Sequence, residues 1–253
     1  VHRAENYARV ITQTGAKFAL FTGDFTSTSL DEEFAQAREF VEQIQQQGLN
    51  VAVLPGNHDV YTFESRRHRR FENYFQGIAP ESGYPTNLAL ANRFRLLLIP
   101  TAQPNILSAR GQVPDEVLQW IQQEIKTLDT EPVLVAAHYP ILYETRAYHS
   151  APSHRLAGAE KMRDILGKSG KQILYMCGHV HRFSLTQDPQ YGNITHLSTG
   201  ALFRMDSRQN TCGEFSEILV SDRSFVVRRN VCKPGNLWIS EEFSSKTSSV
   251  FAP

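Results

Sequence analysis

The chain has few cysteines, no long hydrophobic run and no excess of charge of either sign. Its 253 residues include three cysteines, an odd number at scattered positions, which argues against a disulfide scaffold and favours a reducing, cytoplasmic compartment. No apolar run approaches the ~20 residues that a bilayer-spanning helix needs. The formal net charge is zero, so we expect no nucleic-acid partner. At this length and 41% apolar composition, the chain can bury an ample core.

What the sequence does contain is a set of short apolar runs that end in metal-binding or acid–base side chains. The strongest signal is Leu54-Pro55-Gly56-Asn57-His58-Asp59, in which a buried strand breaks at Pro-Gly and is followed by an amide, an imidazole and a carboxylate. Three further runs end in the same way, at Asp24, at His138, and at the pair His179 and His181. In open α/β sheets, ligands bind at the carboxyl ends of the strands. We therefore predict that these side chains converge on one site.

The predicted ligands supply oxygen and imidazole nitrogen but no thiolate. Such donors suit Mn²⁺, Fe²⁺ or Zn²⁺, and we expect two divalent ions, with Mn²⁺ preferred and Fe²⁺ or Zn²⁺ as alternatives. In an extended His-x-His segment the side chains point in opposite directions, so His179 and His181 either need a turn to share one ion or serve two neighbouring ions. Two ions roughly 3.5–4 Å apart suit hydrolysis of phosphate esters by metal-activated water. A carboxylate such as Asp24 can bridge them.

His58 and Asp59 are the predicted catalytic pair. His58 cannot easily bind a metal ion that Asn57 already binds, so we assign it as the general acid that protonates the leaving oxygen. Asp59 is expected to fix the tautomer and orientation of the His58 ring.

The order Gly23-Asp24, Gly56-Asn57-His58-Asp59, His138 and Gly178-His179-Val180-His181 resembles the calcineurin-like metallophosphoesterase family, from about Lys17 to His181. The resemblance implies a four-layer αββα sandwich, an α/β fold with two mixed sheets flanked by helices. It implies one ion held by Asp24, Asn57, His138 and His179. The other ion would use Asp24, His181 and an Asp-x-His of a first strand. The chain contains no Asp-x-His, and we expect the natural protein to carry that strand ahead of Val1.

A narrower similarity concerns residues 22–62, which resemble the chlamydial-type UDP-2,3-diacylglucosamine pyrophosphatases of lipid A synthesis. That similarity implies a nucleotide-linked lipid substrate and a peripheral contact with the inner membrane. Three alternatives stay open: a cyclic-nucleotide phosphodiesterase, a phosphomonoesterase, and a non-catalytic scaffold on a degenerate phosphoesterase fold. The sequence identifies no substrate-binding residue and no oligomeric state.

We expect a single domain over residues 1–243 and a loose tail over 244–253. Within the domain, residues 61–76 read as a helix with an aromatic side and a dense basic side, directly after His58. Its position favours a lid over the substrate, although a solvated charged face is the simpler interpretation of such a run.

Overall fold

The chain folds into helices that flank two layers of β-strands. The computed structural model describes residues 2–90, 94–104, 109–129, 132–148, 154–222 and 224–244. The helices are α1 (His2–Gln13), α2 (Asp31–Gln46), α3 (Phe63–Arg67), α4 (Arg70–Tyr74), α5 (Asp115–Thr127) and α6 (Ala159–Lys168). The strands are β1 (Phe18–Phe21), β2 (Asn50–Val53), β3 (Thr86–Leu90), β4 (Phe94–Ile99), β5 (Gly111–Gln112), β6 (Val133–Ala137), β7 (Leu156–Ala157), β8 (Ile173–Cys177), β9 (Phe183–Gln187), β10 (Ile194–Thr199), β11 (Gly213–Ser221), β12 (Ser224–Lys233) and β13 (Leu237–Ser244).

A six-stranded mixed sheet lies at the centre of the fold. Its strand order is β3-β4-β6-β8-β10-β9. The four inner strands are parallel, and the two outer strands run antiparallel to their neighbours. β6 and β8 are buried along their whole length, because other layers cover both faces of the sheet. The carboxyl ends of β6 and β8 therefore lie side by side.

Helices and a second strand layer cover the two faces of this sheet. On one face, α5 and α6 pack through residues such as Ile121 and Met162. On the other face, Leu134 meets Phe225 of the second layer. The far side of the second layer is covered by α1 and α2, where Tyr7 is fully buried. The order helix, sheet, sheet, helix confirms the predicted α/β fold with a large mixed sheet flanked by helices.

The second layer differs from the single mixed sheet that the resemblance implied. It consists of a parallel pair, β1–β2, and an antiparallel sheet, β11–β12–β13. In the part of the chain that the structure describes, no hydrogen-bonded ladder joins the two pieces. They form one layer because both pack against the same face of the large sheet, through Leu20 and Val227. The additional first strand stays a prediction.

The expected helix over residues 61–76 is divided into two short helices. α3 and α4 are separated at Arg69, whose left-handed backbone (φ 50°) cannot continue a right-handed helix. Residues 245–253 of the expected tail lie outside the described part of the chain. Among the described helices, none has the length and apolar character to span a bilayer.

A buried ion pair ties α6 to the sheet. Arg163 donates two hydrogen bonds, of 2.6 and 2.7 Å, to the Asp188 carboxylate, which directly follows β9. Nε2 of His196, on β10, lies 2.8 Å from the same carboxylate. The Asp188 side chain is 0% exposed and that of His196 is 2% exposed. A charge removed from such a group leaves its partner buried without compensation.

We expect Asp188→Asn to lower the free energy of unfolding by about 3 kcal/mol, because it leaves Arg163 charged and half-paired in the interior. Urea unfolding at pH 7 measures this change. The matched control is Asp164→Asn, which removes an exposed ion pair to Lys168 on the same helix and should change stability little. Equal effects of the two substitutions would contradict the structural role of Asp188.

Candidate functional site

Two loops meet closely at the carboxyl ends of β1 and β2. A Cβ atom on Gly23 would lie 2.4 Å from the backbone nitrogen of Gly56, and one on Gly56 would lie 2.3 Å from the backbone nitrogen of Asp24. Only glycine allows backbones to approach this closely. Asp24, His179 and His181 also have left-handed backbones, with φ of 60°, 63° and 53°. Such conformations cost free energy and cluster at functional sites, where the surrounding structure holds them.

Asp59 holds these loops together instead of orienting His58. Its buried carboxylate accepts hydrogen bonds from the backbone nitrogens of Gly56 (2.8 Å), Asp24 (2.9 Å) and Thr26 (2.9 Å), and from the Thr26 hydroxyl (3.1 Å). The predicted contact between Asp59 and the His58 ring was wrong. The physical reason is that the loop amides have no strand partner, and buried N–H groups require an acceptor.

The backbone carbonyl of Ser27 takes the role that was expected of Asp59. Nδ1 of His58 donates to this oxygen over 2.8 Å, so Nε2 is the ring nitrogen that can exchange a proton with a ligand. The backbone nitrogen of His58 also donates to Oδ1 of Asp24, over 3.1 Å. These two hydrogen bonds place the half-buried imidazole next to Asp24. The geometry suits a proton donor at the edge of the site.

The structure brings all five predicted metal ligands together. Oδ1 of Asn57 lies 2.9 Å from Nε2 of His138 and 3.0 Å from Nδ1 of His179. Oδ1 of Asp24 is 3.4 Å from the same His138 nitrogen, and its Oδ2 is 3.5 Å from Nε2 of His181. Asn57 and Asp24 thus lie between the three imidazoles, and Asp24 links the two halves of the cluster.

The chemistry of this cluster fits a cation. Nδ1 of His138 donates to the carbonyl oxygen of Thr22 over 2.7 Å, so Nε2 of the neutral ring points a lone pair at Asn57. Burial lowers the pKa of His138, which favours the neutral ring. Burial and the neighbouring His138 lower the pKa of His179 to about 3. The lone pair of the neutral His138 ring, the Asn57 amide oxygen and the Asp24 carboxylate therefore face one another without a hydrogen between them.

The two neighbouring carboxyl groups titrate in opposite directions. Burial alone would raise the pKa of Asp24, but the His138 and His181 imidazoles and the His58 backbone outweigh it and lower that pKa below the ordinary value. Burial and the Asp24 carboxylate raise the pKa of Asp59 to about 8, against the four hydrogen bonds that favour its ionised form. Asp24 is therefore the more strongly ionised of the pair, as a metal ligand must be.

The spacing of the donors also suits an ion. Two ligand atoms at right angles around an ion, each about 2.1 Å from it, lie about 3.0 Å apart. The separations of Asn57 Oδ1 from the His138 and His179 nitrogens match this value. Within the described ranges, no group of three His, Cys, Asp or Glu side chains could hold an ion by itself. The Asn57 amide oxygen adds a donor that lies between two of the imidazoles.

Arg204 is a residue of this site that the sequence did not reveal. The Arg204 guanidinium contacts Nδ1 of His181. Arg182, the residue after His181, pairs with Asp206. The guanidinium brings positive charge to the edge of the site and favours an anionic ligand. Arg204 lies 23 residues after His181 outside any motif, so no local signal marked it. Thr22 and Ser27 act through backbone carbonyls, which leave no side-chain signal.

Comparison with known proteins places this geometry in a family. Residues 2–183 match the family model described as calcineurin-like phosphoesterase. This chain belongs to the calcineurin-like phosphoesterase family. The match covers the loops after β1, β2, β6 and β8 and therefore all of the residues in the cluster. The family assignment indicates a hydrolase that acts on phosphate esters.

Among relatives of this phosphoesterase, a protein of Arcobacter nitrofigilis named "Probable glycerophosphodiester phosphodiesterase GpdQ" is 27% identical over 196 residues, covering 78% of this chain and 68% of that protein. A Psychrobacter protein named "Probable cyclic nucleotide phosphodiesterase" is 23% identical over 247 residues, covering 95% of this chain and 65% of that protein. The chain thus spans about two thirds of the length of these relatives.

A solved structure shares the fold of this phosphoesterase. A dimetal phosphatase from Danio rerio superposes with a TM-score of 0.69, over 95% of this chain and 88% of that chain, at 14% identity. At this identity the likeness establishes the fold alone. It agrees with the layer order described above.

Proposed function

We propose that this phosphoesterase hydrolyses a phosphodiester bond with two divalent metal ions, with Mn²⁺ preferred and Fe²⁺ or Zn²⁺ as alternatives. The observation that carries the proposal is the convergence of oxygen and nitrogen donor atoms from Asp24, Asn57, His138 and His179. The preference for a diester is supported by relatives that are named as phosphodiesterases.

The chain's own residues have separate parts in this reaction. Asn57, His138 and His179 would hold one ion, His181 would hold the other, and Asp24 would bind both. A pair of ions bound there would supply an acidified water molecule and in-line positioning of the phosphate oxygens. His58 donates the proton on Nε2 to the leaving oxygen, while the proton on Nδ1 stays in its hydrogen bond to the carbonyl oxygen of Ser27. Arg204 adds positive charge for the phosphate.

A UDP-linked lipid is the second candidate substrate, after a phosphodiester. A UDP-diacylglucosamine pyrophosphatase is supported only by the similarity of residues 22–62, whereas the relatives reported above are named for phosphodiesters. The scaffold alternative is opposed by His58, whose ring is held for proton transfer although a scaffold would have no use for it. We therefore place the phosphodiesterase first.

A substrate panel tests this proposal on the full-length gene product, first stripped of metal and then reloaded with Mn²⁺. The panel compares bis(4-nitrophenyl) phosphate, 4-nitrophenyl phosphate, cyclic AMP and UDP-2,3-diacylglucosamine. We expect kcat/KM for the diester to exceed that for the monoester by about tenfold or more, with no turnover before reloading. Preference for the monoester or the UDP-lipid would replace the proposed substrate class. Metal binding without any turnover would support the scaffold.

A further inference from the structure

Three large apolar side chains are exposed on the two segments that border His58, one next to Ser29 and two shortly after His58 itself. Leu30 is 52% exposed, Tyr61 is 44% exposed and Phe63 is 62% exposed. Single exposed apolar residues are common on protein surfaces, but a group of them marks a binding site. We call these three residues the rim surface.

Hydrogen bonds connect the rim surface to the proposed general acid. The Ser29 hydroxyl donates to the carbonyl oxygen of His58 over 2.5 Å and accepts from the backbone nitrogen of Tyr61 over 3.2 Å. Leu30 follows Ser29 directly. The rings of Tyr61 and His58 are nearly parallel, at 7°, with centroids 6.2 Å apart. The rim surface therefore adjoins the side of the site at which the leaving group departs.

Exposed cations flank the rim surface. Arg66 and Arg67 lie on α3. Arg67 is four residues after Phe63, so Phe63 and Arg67 share one face of this helix. Arg66 and Arg67 have no ion-pair partner among the residues described by the structure. Arg70, by contrast, donates to the Ser29 carbonyl and pairs with acidic side chains, so it has a structural role. Apolar surface with unpaired cations suits a ligand that is both apolar and anionic.

We propose that the rim surface binds an apolar substituent on the leaving alcohol, so that the preferred substrate is an amphiphilic phosphodiester. The proposal rests on the function proposed above. In the reaction, the oxygen of water adds to phosphorus and the bond from phosphorus to the alkyl oxygen breaks. The alkyl oxygen takes the His58 proton, and a phosphate monoester and an alcohol leave. The attacking water releases one proton to solvent, and His58 takes one proton back from solvent before the next turnover. The rim surface holds the alcohol's chain during this step.

Matched substrates test the proposal with the Mn²⁺-loaded full-length protein. The probes are the methyl, butyl and hexyl esters of uridine 5′-monophosphate, assayed below their aggregation limits for release of the free nucleotide. We expect kcat/KM to rise with chain length, about 10- to 30-fold from methyl to hexyl, because each methylene loses part of its contact with water. Equal rates for all esters would overturn the inference and leave the proposed function intact. No hydrolysis of any ester would instead contradict the proposed function.

Substitutions locate the effect on the rim surface. Phe63→Ser and Leu30→Ser should each reduce the hexyl-to-methyl ratio of kcat/KM several-fold. The matched control is Leu219→Ser on β11, which removes an apolar side chain of similar exposure (40%) and should leave the ratio unchanged. An unchanged ratio in both rim variants would overturn the assignment of this surface.

Binding to vesicles separates a substrate site from a membrane contact. The probe is sedimentation of the protein with vesicles of equal parts phosphatidylglycerol and phosphatidylcholine. Vesicle binding that Phe63→Ser abolishes, together with no dependence on ester chain length, would assign the rim surface to a membrane and overturn the substrate proposal. Chain-length selectivity without vesicle binding is the expected result.

Discussion

His58→Gln is expected to lower kcat by roughly 10²–10⁴-fold while the metal content stays unchanged. The loss of a positioned general acid has this magnitude. The reason lies in the position of the ring. Ser27 holds Nδ1, the backbone nitrogen binds Asp24, and Nε2 is left to transfer a proton. The measurement is steady-state kinetics on an alkyl diester, with metal content determined by elemental analysis of the same preparation.

Two comparisons make this prediction specific to proton donation. The matched control is His68→Gln, because His68 is an exposed histidine at the end of α3 and should have no effect on kcat. The defect in His58→Gln should also shrink for a 4-nitrophenyl leaving group, whose oxygen needs no proton to depart. A kcat within about threefold of the wild-type value on the alkyl diester would show that His58 is not the acid.

Asp24→Ala is expected to abolish metal retention and, with it, activity. The Asp24 carboxylate lies next to His138 and His181 and accepts a hydrogen bond from the backbone nitrogen of His58. Its removal therefore affects both halves of the cluster. Because even loss of an outer hydrogen-bond partner costs about 10–100-fold in metal affinity, loss of a bridging ligand should cost more than about 100-fold. Calorimetric titration of the metal-stripped protein with Mn²⁺ measures the affinity, with melting curves to verify that the variant is folded.

The control for this substitution is Asp31→Ala, which removes an exposed carboxylate at the start of α2. This variant should bind Mn²⁺ as the wild type does. Should Asp24→Ala misfold, Asn57→Ala provides a second test, since it removes the oxygen that lies between two imidazoles. Retention of two ions by folded Asp24→Ala would contradict the bridging role.

The convergence of ligands could be predicted because each one follows an apolar run that becomes a strand. Asp24, Asn57, His138 and His179 lie within four residues after the ends of β1, β2, β6 and β8, and parallel strands deliver their carboxyl ends to one edge. The turn required by His179 and His181 is present as well, since both have positive φ. Strand periodicity and the placement of polar residues thus carried most of the information about the site.

What the sequence did not predict depends on the backbone and on distant partners. The orientation of His58 by the Ser27 carbonyl and the role of Asp59 as acceptor for loop amides arise from folded backbone geometry.

The pairing of Arg163 with Asp188 joins residues 25 positions apart, and that of Arg204 with His181 joins residues 23 apart. The split of residues 61–76 depends on one backbone angle at Arg69. None of these features has a local pattern.

The most direct test of the proposed metal site is an anomalous-scattering crystal structure of the full-length protein loaded with Mn²⁺. We expect an ion about 2.0–2.3 Å from Oδ1 of Asn57, Nε2 of His138, Nδ1 of His179 and a carboxylate oxygen of Asp24. A second ion is predicted between Asp24 and Nε2 of His181. No anomalous signal at Asn57, with the ligand side chains turned away from one another, would contradict it.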